Sequence, residues 1–124
     1  MRIVFDTGAF IALERRQKSA LEVLRVAADD GDDLIAPAAA VAEWWRAGKR
    51  EKARAAILRA FQFEAPSSHV ARLAGVAMGL VGAGLGDALV MAAASIHGDV
   101  VYTADVEDFA RLSTLFPNVV VERI

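Results

Sequence analysis

Four acidic residues carry the chemistry most readily read from this chain. Asp6 directly follows the apolar run Arg2 to Phe5. Glu43 lies within a stretch of alanine, valine and tryptophan. Asp87 follows Gly84-Leu85-Gly86 and opens another apolar stretch. Asp105 comes two residues after Val100-Val101-Tyr102-Thr103. A lone buried carboxylate is expensive, and several converging ones repel, so a bound cation is their natural remedy. All four offer oxygen only, which suits Mg²⁺ or Mn²⁺ and argues against zinc. Each also has a plain structural role. Asp6 and Asp87 can cap helices. Glu43 can be a solvated surface residue. Asp105 and Asp108 can be loop and first-turn acids that suit a helix dipole. Capping and ligation are compatible, since a carboxylate has two oxygens. Of the two histidines, His97 reads as a helix-end residue before Gly98, and His69 has no assigned role.

The elements that must position these acids follow from periodicity and punctuation. Arg2 to Phe5 reads as a buried strand. Thr7 to Arg16 and Ser19 to Asp29 read as helices, with Phe10, Ile11, Leu13, Leu21 and Leu24 at helical spacing. Leu34 to Ala36 is a second strand, and Pro37 suits the first turn of a helix running through Trp45. Gly48 marks a break before a basic helix, Arg50 to Phe61. Gln62 to Ala65 is a third strand. Ser67 or Ser68 caps the next helix. Asp87 opens a helix, Ala88 to His97, ended by Gly98. Val100 to Thr103 is a strand, Val106 to Leu115 a helix, and Val119 to Val121 the last strand. Short apolar strands separated by helices are the mark of parallel strands covered on both faces. The expected fold is α/β, one three-layer α/β/α domain over residues 1–124 with a short central, mostly parallel sheet. In such sheets the site lies beyond the carboxyl ends of the strands. Asp6 and Asp105 should emerge at that shared rim.

Composition narrows the class. The chain has 124 residues, no cysteine and a net charge of −2. One domain of this size buries a core without disulfides. Thiolate metal sites and cysteine catalysis are excluded. Weak net charge gives no long-range pull on nucleic acid, so any such contact needs a local basic patch. The missing cysteines and the short apolar run at the amino terminus fit a cytoplasmic protein. Leu73 to Ile96 is long and apolar, but its glycines and Asp87 read better as two buried helices than as a membrane span.

Asp6-Thr7-Gly8-Ala9 also looks like the loop of an aspartic protease, a class that is almost all β. An aspartyl-nucleophile phosphatase needs an acid where Gly8 stands. A phospho-receiver domain needs a late lysine, and none follows Lys52.

Four segments together resemble a known family. They are Ile3-Val4-Phe5-Asp6-Thr7, Ala42-Glu43, Gly86 to Ala94 starting Gly-Asp-Ala-Leu, and Val101 to Phe109 with its Thr103-Ala104-Asp105. In order, spacing and length they resemble the PIN domain, and specifically the VapC-like toxins of toxin–antitoxin modules. The resemblance covers essentially the whole chain. It implies that Asp6, Glu43, Asp87 and Asp105 form an acidic catalytic quartet, with Asp6, Asp87 and Asp105 holding Mg²⁺ or Mn²⁺. Thr103 would be the hydroxyl near the metal, and Thr7 would support Asp6. Many relatives carry asparagine at the place of Asp105 and use the later aspartate, here Asp108. Both positions are acidic in this chain, so their division of labour stays open. The resemblance further implies RNA cleavage by metal-activated water, a homodimer and a VapB-like antitoxin. The alternative from another class is a catalytically weak module of the same fold that binds RNA or a protein.

An acidic site must still hold a polyanion. Arg46, Lys49 and Arg50 are the first candidates for phosphate contacts, in a segment that also carries Lys52, Arg54 and Arg59. Arg15, Arg16 and Lys18 form a second basic cluster. Trp44 and Trp45 could stack on bases, although at least one suits the core or a dimer surface.

Overall fold

The computed structural model describes residues 1–46 and 50–124. Gly48 and Lys49 therefore lie outside the described residues. The elements run β1 (Arg2–Phe5), α1 (Thr7–Glu14), α2 (Lys18–Asp30), β2 (Asp33–Pro37) and α3 (Ala38–Trp45). They continue with α4 (Glu51–Leu58), β3 (Gln62–Glu64), α5 (Ser68–Val81), α6 (Leu85–Ser95), β4 (Val100–Thr103), α7 (Val106–Leu115) and β5 (Val120–Arg123).

The sheet order is β3-β2-β1-β4-β5, and every neighbouring pair is parallel. The expectation of a mostly parallel sheet is thus met by a wholly parallel one. From β1 the chain first moves outward to β2 and β3, then returns across the sheet to β4 and β5. Right-handed crossovers place the helices of these two directions on opposite faces. The result is three layers with a reversal of strand order between β1 and β4. In such sheets the carboxyl ends of those two strands are the usual place for a site.

The core explains why these segments choose these states. Ile3, Val4 and Phe5 of β1 are all buried, as are Ile35, Ala36 and Val101 of its neighbours. On one face Phe5, Phe10, Phe61 and Trp44 interlock, with Phe10 stacked on Trp44 at 4.7 Å between ring centres. Trp44 is therefore a core residue. α6 buries Ala88, Val90, Met91, Ala92 and Ala94, so its run of small residues seats it close to the sheet.

Boundaries shift where backbone chemistry outweighs pattern. α1 stops at Glu14 because Arg15 caps it and Arg16 adopts a left-handed φ of 56°. Pro37 ends β2 and caps α3 in extended geometry, rather than filling its first turn. Ser67 is the cap of α5, its hydroxyl accepting from the Val70 N–H at 3.1 Å. α6 begins at Leu85, two residues before Asp87. No described helix is long and apolar enough to cross a membrane.

Candidate active site

The β1–β4 ladder builds the floor of the site. Phe5 pairs with Tyr102, and the Asp6 N–H extends the ladder to the Tyr102 carbonyl at 3.2 Å. Asp6 therefore stands level with Thr103, at the carboxyl ends of two central strands. Both are buried. Asp6 also caps α1, accepting from the Ala9 N–H at 2.8 Å. The cap and the site use the same carboxylate. Burial pushes Asp6 above the usual carboxylate range, and the Thr103 hydroxyl and the Ala9 N–H pull it back. The charges of Glu43 and Asp105 add to the upward push.

Asp87 reports most clearly on its surroundings. It lies in the first turn of α6, where Gly84 is the cap, so the N-cap reading of Asp87 does not hold. Its pKa is pushed up to about 6, first by burial and then by Asp6, Asp108, Glu43 and Asp105 in that order. Each of the other three quartet acids, and Asp108, acts on this one carboxyl.

Glu43 reaches the cluster from α3. The residue is solvent-exposed, as the surface reading has it. Its carboxylate nonetheless lies against Gly86, the residue before Asp87. A Cβ built on Gly86 would collide with Glu43 Oε1 and come within 3.0 Å of its Cδ. The missing side chain at Gly86 leaves the Glu43 carboxylate room to lie beside Asp87. Gly8 has a matching role on the other side, where a Cβ would press on Ala104 at 3.1 Å. Neither glycine was singled out as a site residue from sequence. The available signal was a glycine within two residues of an acid, in Asp6-Thr7-Gly8 and Gly86-Asp87.

Asp105 precedes α7 and is exposed. Its N–H donates to the Thr103 hydroxyl at 3.0 Å, which fixes the turn between strand and helix. Asp105 is pushed up first by a hydrogen bond with Asp108. Thr7 lies at the start of α1 with its hydroxyl 3.5 Å from the Ala40 carbonyl, joining α1 to α3 beside Asp6.

The donor set fits a hard divalent cation. It is all carboxylate oxygen, it gathers at one rim, and its surplus negative charge is visible in the raised Asp87. Among the described residues no three such side chains already stand at the spacing of a closed ligand shell.

Of the predicted phosphate contacts, Arg46 is exposed and Arg50 sits 3.6 Å from Glu14, while Lys49 lies outside the described residues.

The family comparison matches residues 3–115 to the PIN domain. The chain belongs to the PIN domain family. No match is found among curated proteins. Solved structures with the same fold include VapBC2 from Rickettsia felis, bound to a DNA fragment from its promoter. That match has 15% identity and a TM-score of 0.79, and covers 100% of this chain and 99% of that one. DNA-bound VapBC from Salmonella typhimurium matches at 13% identity and TM-score 0.76, over 99% and 98% of the two chains. A toxin–antitoxin complex from Klebsiella pneumoniae matches at 21% identity and TM-score 0.71, over 98% and 99%. At these identities the likeness is one of fold. In this PIN domain Asp6 and Asp105 follow β1 and β4, the two strands between which the order reverses.

Proposed function

We propose that this PIN domain is a metal-dependent endoribonuclease and the toxin of a VapBC-type module. The observation that carries the reading is the PIN family match, supported by Asp6 and Thr103 at adjoining strand ends and by Glu43 lying against Gly86 beside Asp87. Asp6, Asp87 and Asp105 would hold Mg²⁺, or Mn²⁺ in its place. When bound, the ion would make water nucleophilic near neutral pH and offset charge on the phosphoryl oxygens. Asp6 is fixed for this role by its cap to Ala9, and Thr103 orients both Asp6 and the Asp105 turn. Glu43, on the open side, is placed to orient a water and take its proton. Asp108 supports Asp105 by sharing its proton or its cation.

A VapB-like antitoxin is the proposed partner. Its support is the fold shared with structures solved as toxin–antitoxin complexes. A groove of about 450 Å³ lies between α1, α2 and α4, lined by Leu13, Leu21, Leu24 and Ile57. Its shape suits an amphipathic partner helix. Phe10 is fully buried and belongs to the core instead. Homodimerisation would use a separate apolar face, such as exposed Val76, Leu80 and Leu85.

The test is cleavage of labelled RNA with Mg²⁺ or Mn²⁺ and after chelation. Wild type should cut, and Asp6→Asn should lose at least 100-fold in rate, on the order expected for a lost ligand group. Asparagine preserves the α1 cap, so the far-UV spectrum and Tm should hold. A wild-type protein that binds RNA but cuts none with either metal overturns the enzyme and leaves a binding module.

A further inference from the structure

Beside the acidic cluster lies a cavity lined by three arginines and two glutamates. It has a volume of about 260 Å³ and borders the cluster through Thr7 and Glu43. Ile11, Trp44, Arg15 and Arg46 complete its working wall, with Glu14 and Arg54 behind. Thr7, Ile11 and Arg15 recur every four residues, so one face of α1 runs from the catalytic rim into this cavity.

The charges here sort into used and unused. Arg54 Nε pairs with Glu14 Oε1 at 2.6 Å, and its Nη1 donates to the carbonyls of Trp45 and Arg46. Arg50 approaches the same Glu14 oxygen at 3.6 Å. Glu14 is thereby neutralised. Among the described residues Arg46 donates only its Nε, to the Glu43 carbonyl at 3.1 Å, and its Nη groups have no partner there. Arg15 makes no side-chain hydrogen bond or ion pair among the described residues. The uncommitted groups of this cavity are the Arg15 and Arg46 guanidinium groups at one side and the Glu43 carboxylate at its border with the acidic cluster. Paired guanidinium groups suit a phosphate.

We propose that Arg15 and Arg46 hold a backbone phosphate of the RNA that flanks the scissile bond. The inference rests on the ribonuclease reading and deepens it by giving the strand a direction. RNA leaves the acidic cluster over α1 and the end of α3. Arg15 lies two helical turns from Thr7, about 12 Å along α1. It therefore meets a phosphate removed from the scissile one, and contributes to binding rather than to the bond-breaking step. Arg16 points its left-handed turn toward the α1–α2–α4 groove and takes no part.

The experiment compares wild type, Arg15→Gln and Arg15→Lys on a labelled single-stranded oligoribonucleotide with Mn²⁺. Arg15→Gln should raise KM roughly five- to tenfold, with kcat within twofold and the logarithmic salt slope smaller by about 0.7. Arg15→Lys should keep most of the salt slope. A methylphosphonate scan, neutralising one phosphate at a time, should find one flanking position that weakens wild type but not Arg15→Gln. If wild type cuts while Arg15→Gln keeps its KM and salt slope, the phosphate site is wrong and the nuclease stands. Anisotropy binding of the same RNA to Asp6→Asn, with and without Arg15→Gln, separates the two ideas. A wild type that cuts nothing sinks the nuclease, and equal binding by the two Asp6→Asn proteins sinks the site.

Discussion

At the scale of single residues, the site is a problem of unlike demands on one carboxylate each. Asp6 must cap a helix and face a cation, and its two oxygens allow both. Asp87 has no cap to make and takes the full repulsion of its neighbours. Its pKa in the folded protein is about 6 against an ordinary 3.8. The folded state therefore keeps a proton that the unfolded chain releases between those values. The stability this group contributes is complete below the lower value and is lost as pH rises through the upper one. Full conversion would be about 3 kcal/mol. Asp87 is only half-buried, so solvent screening leaves about 1 kcal/mol. Asp87→Asn should then raise Tm in metal-free buffer at pH 8 by about 3–5 °C. The gain should shrink to near zero at pH 4, while RNA cleavage is lost throughout. Thermal melts at the two pH values decide it, and a lower Tm for the variant at pH 8 would contradict the clustered site.

At the scale of elements, what the sequence shows depends on whether position or rotation is asked for. Asp6 and Asp105 were legible because parallel strands deliver their ends to one rim, and a strand end is visible as a change of composition. Glu43 was harder. α3 is apolar on nearly every side, so periodicity cannot say which way residue 43 faces, and Gly86 settles it only in three dimensions. Arg54 shows the reverse case. It reads as one more charge on a basic helix, yet it turns inward and ties α4 to α1 and to the end of α3. Glu14 and Arg54 side chains are 10% and 15% exposed, so this pair is mostly desolvated. Removing one partner of such a pair leaves the other charge stranded. Arg54→Ala should lower unfolding stability by about 2–3 kcal/mol in urea melts, after some relief from Arg50. Adding Glu14→Gln should restore part of the loss, and strict additivity of the two changes would mean the pair is not coupled.

At the scale of the molecule, strand order was beyond the sequence, because right-handed crossovers fit several orders of five strands equally well. The observed order matters because its reversal falls between β1 and β4, the strands that end in acids. A fold that gathers its carboxylates in this way gives up stability in the metal-free state and recovers it on binding a cation. The proposed ion would bind the folded state alone, since the unfolded chain scatters its ligands across residues 6 to 105. At ten times its Kd, Mg²⁺ should add about 1.4 kcal/mol, or roughly 4–6 °C in Tm. Protons compete for the same oxygens, so the shift should be full at pH 8 and largely gone at pH 5, below the Asp87 pKa of about 6. Asp6→Asn and Asp87→Asn should each abolish it, whereas Arg15→Gln should leave it intact. Equal Mg²⁺ stabilisation of Asp87→Asn and wild type would place the ion elsewhere on the protein. Loss of the shift in Arg15→Gln would mean that the arginine-lined cavity and the acidic cluster are one site rather than two neighbours.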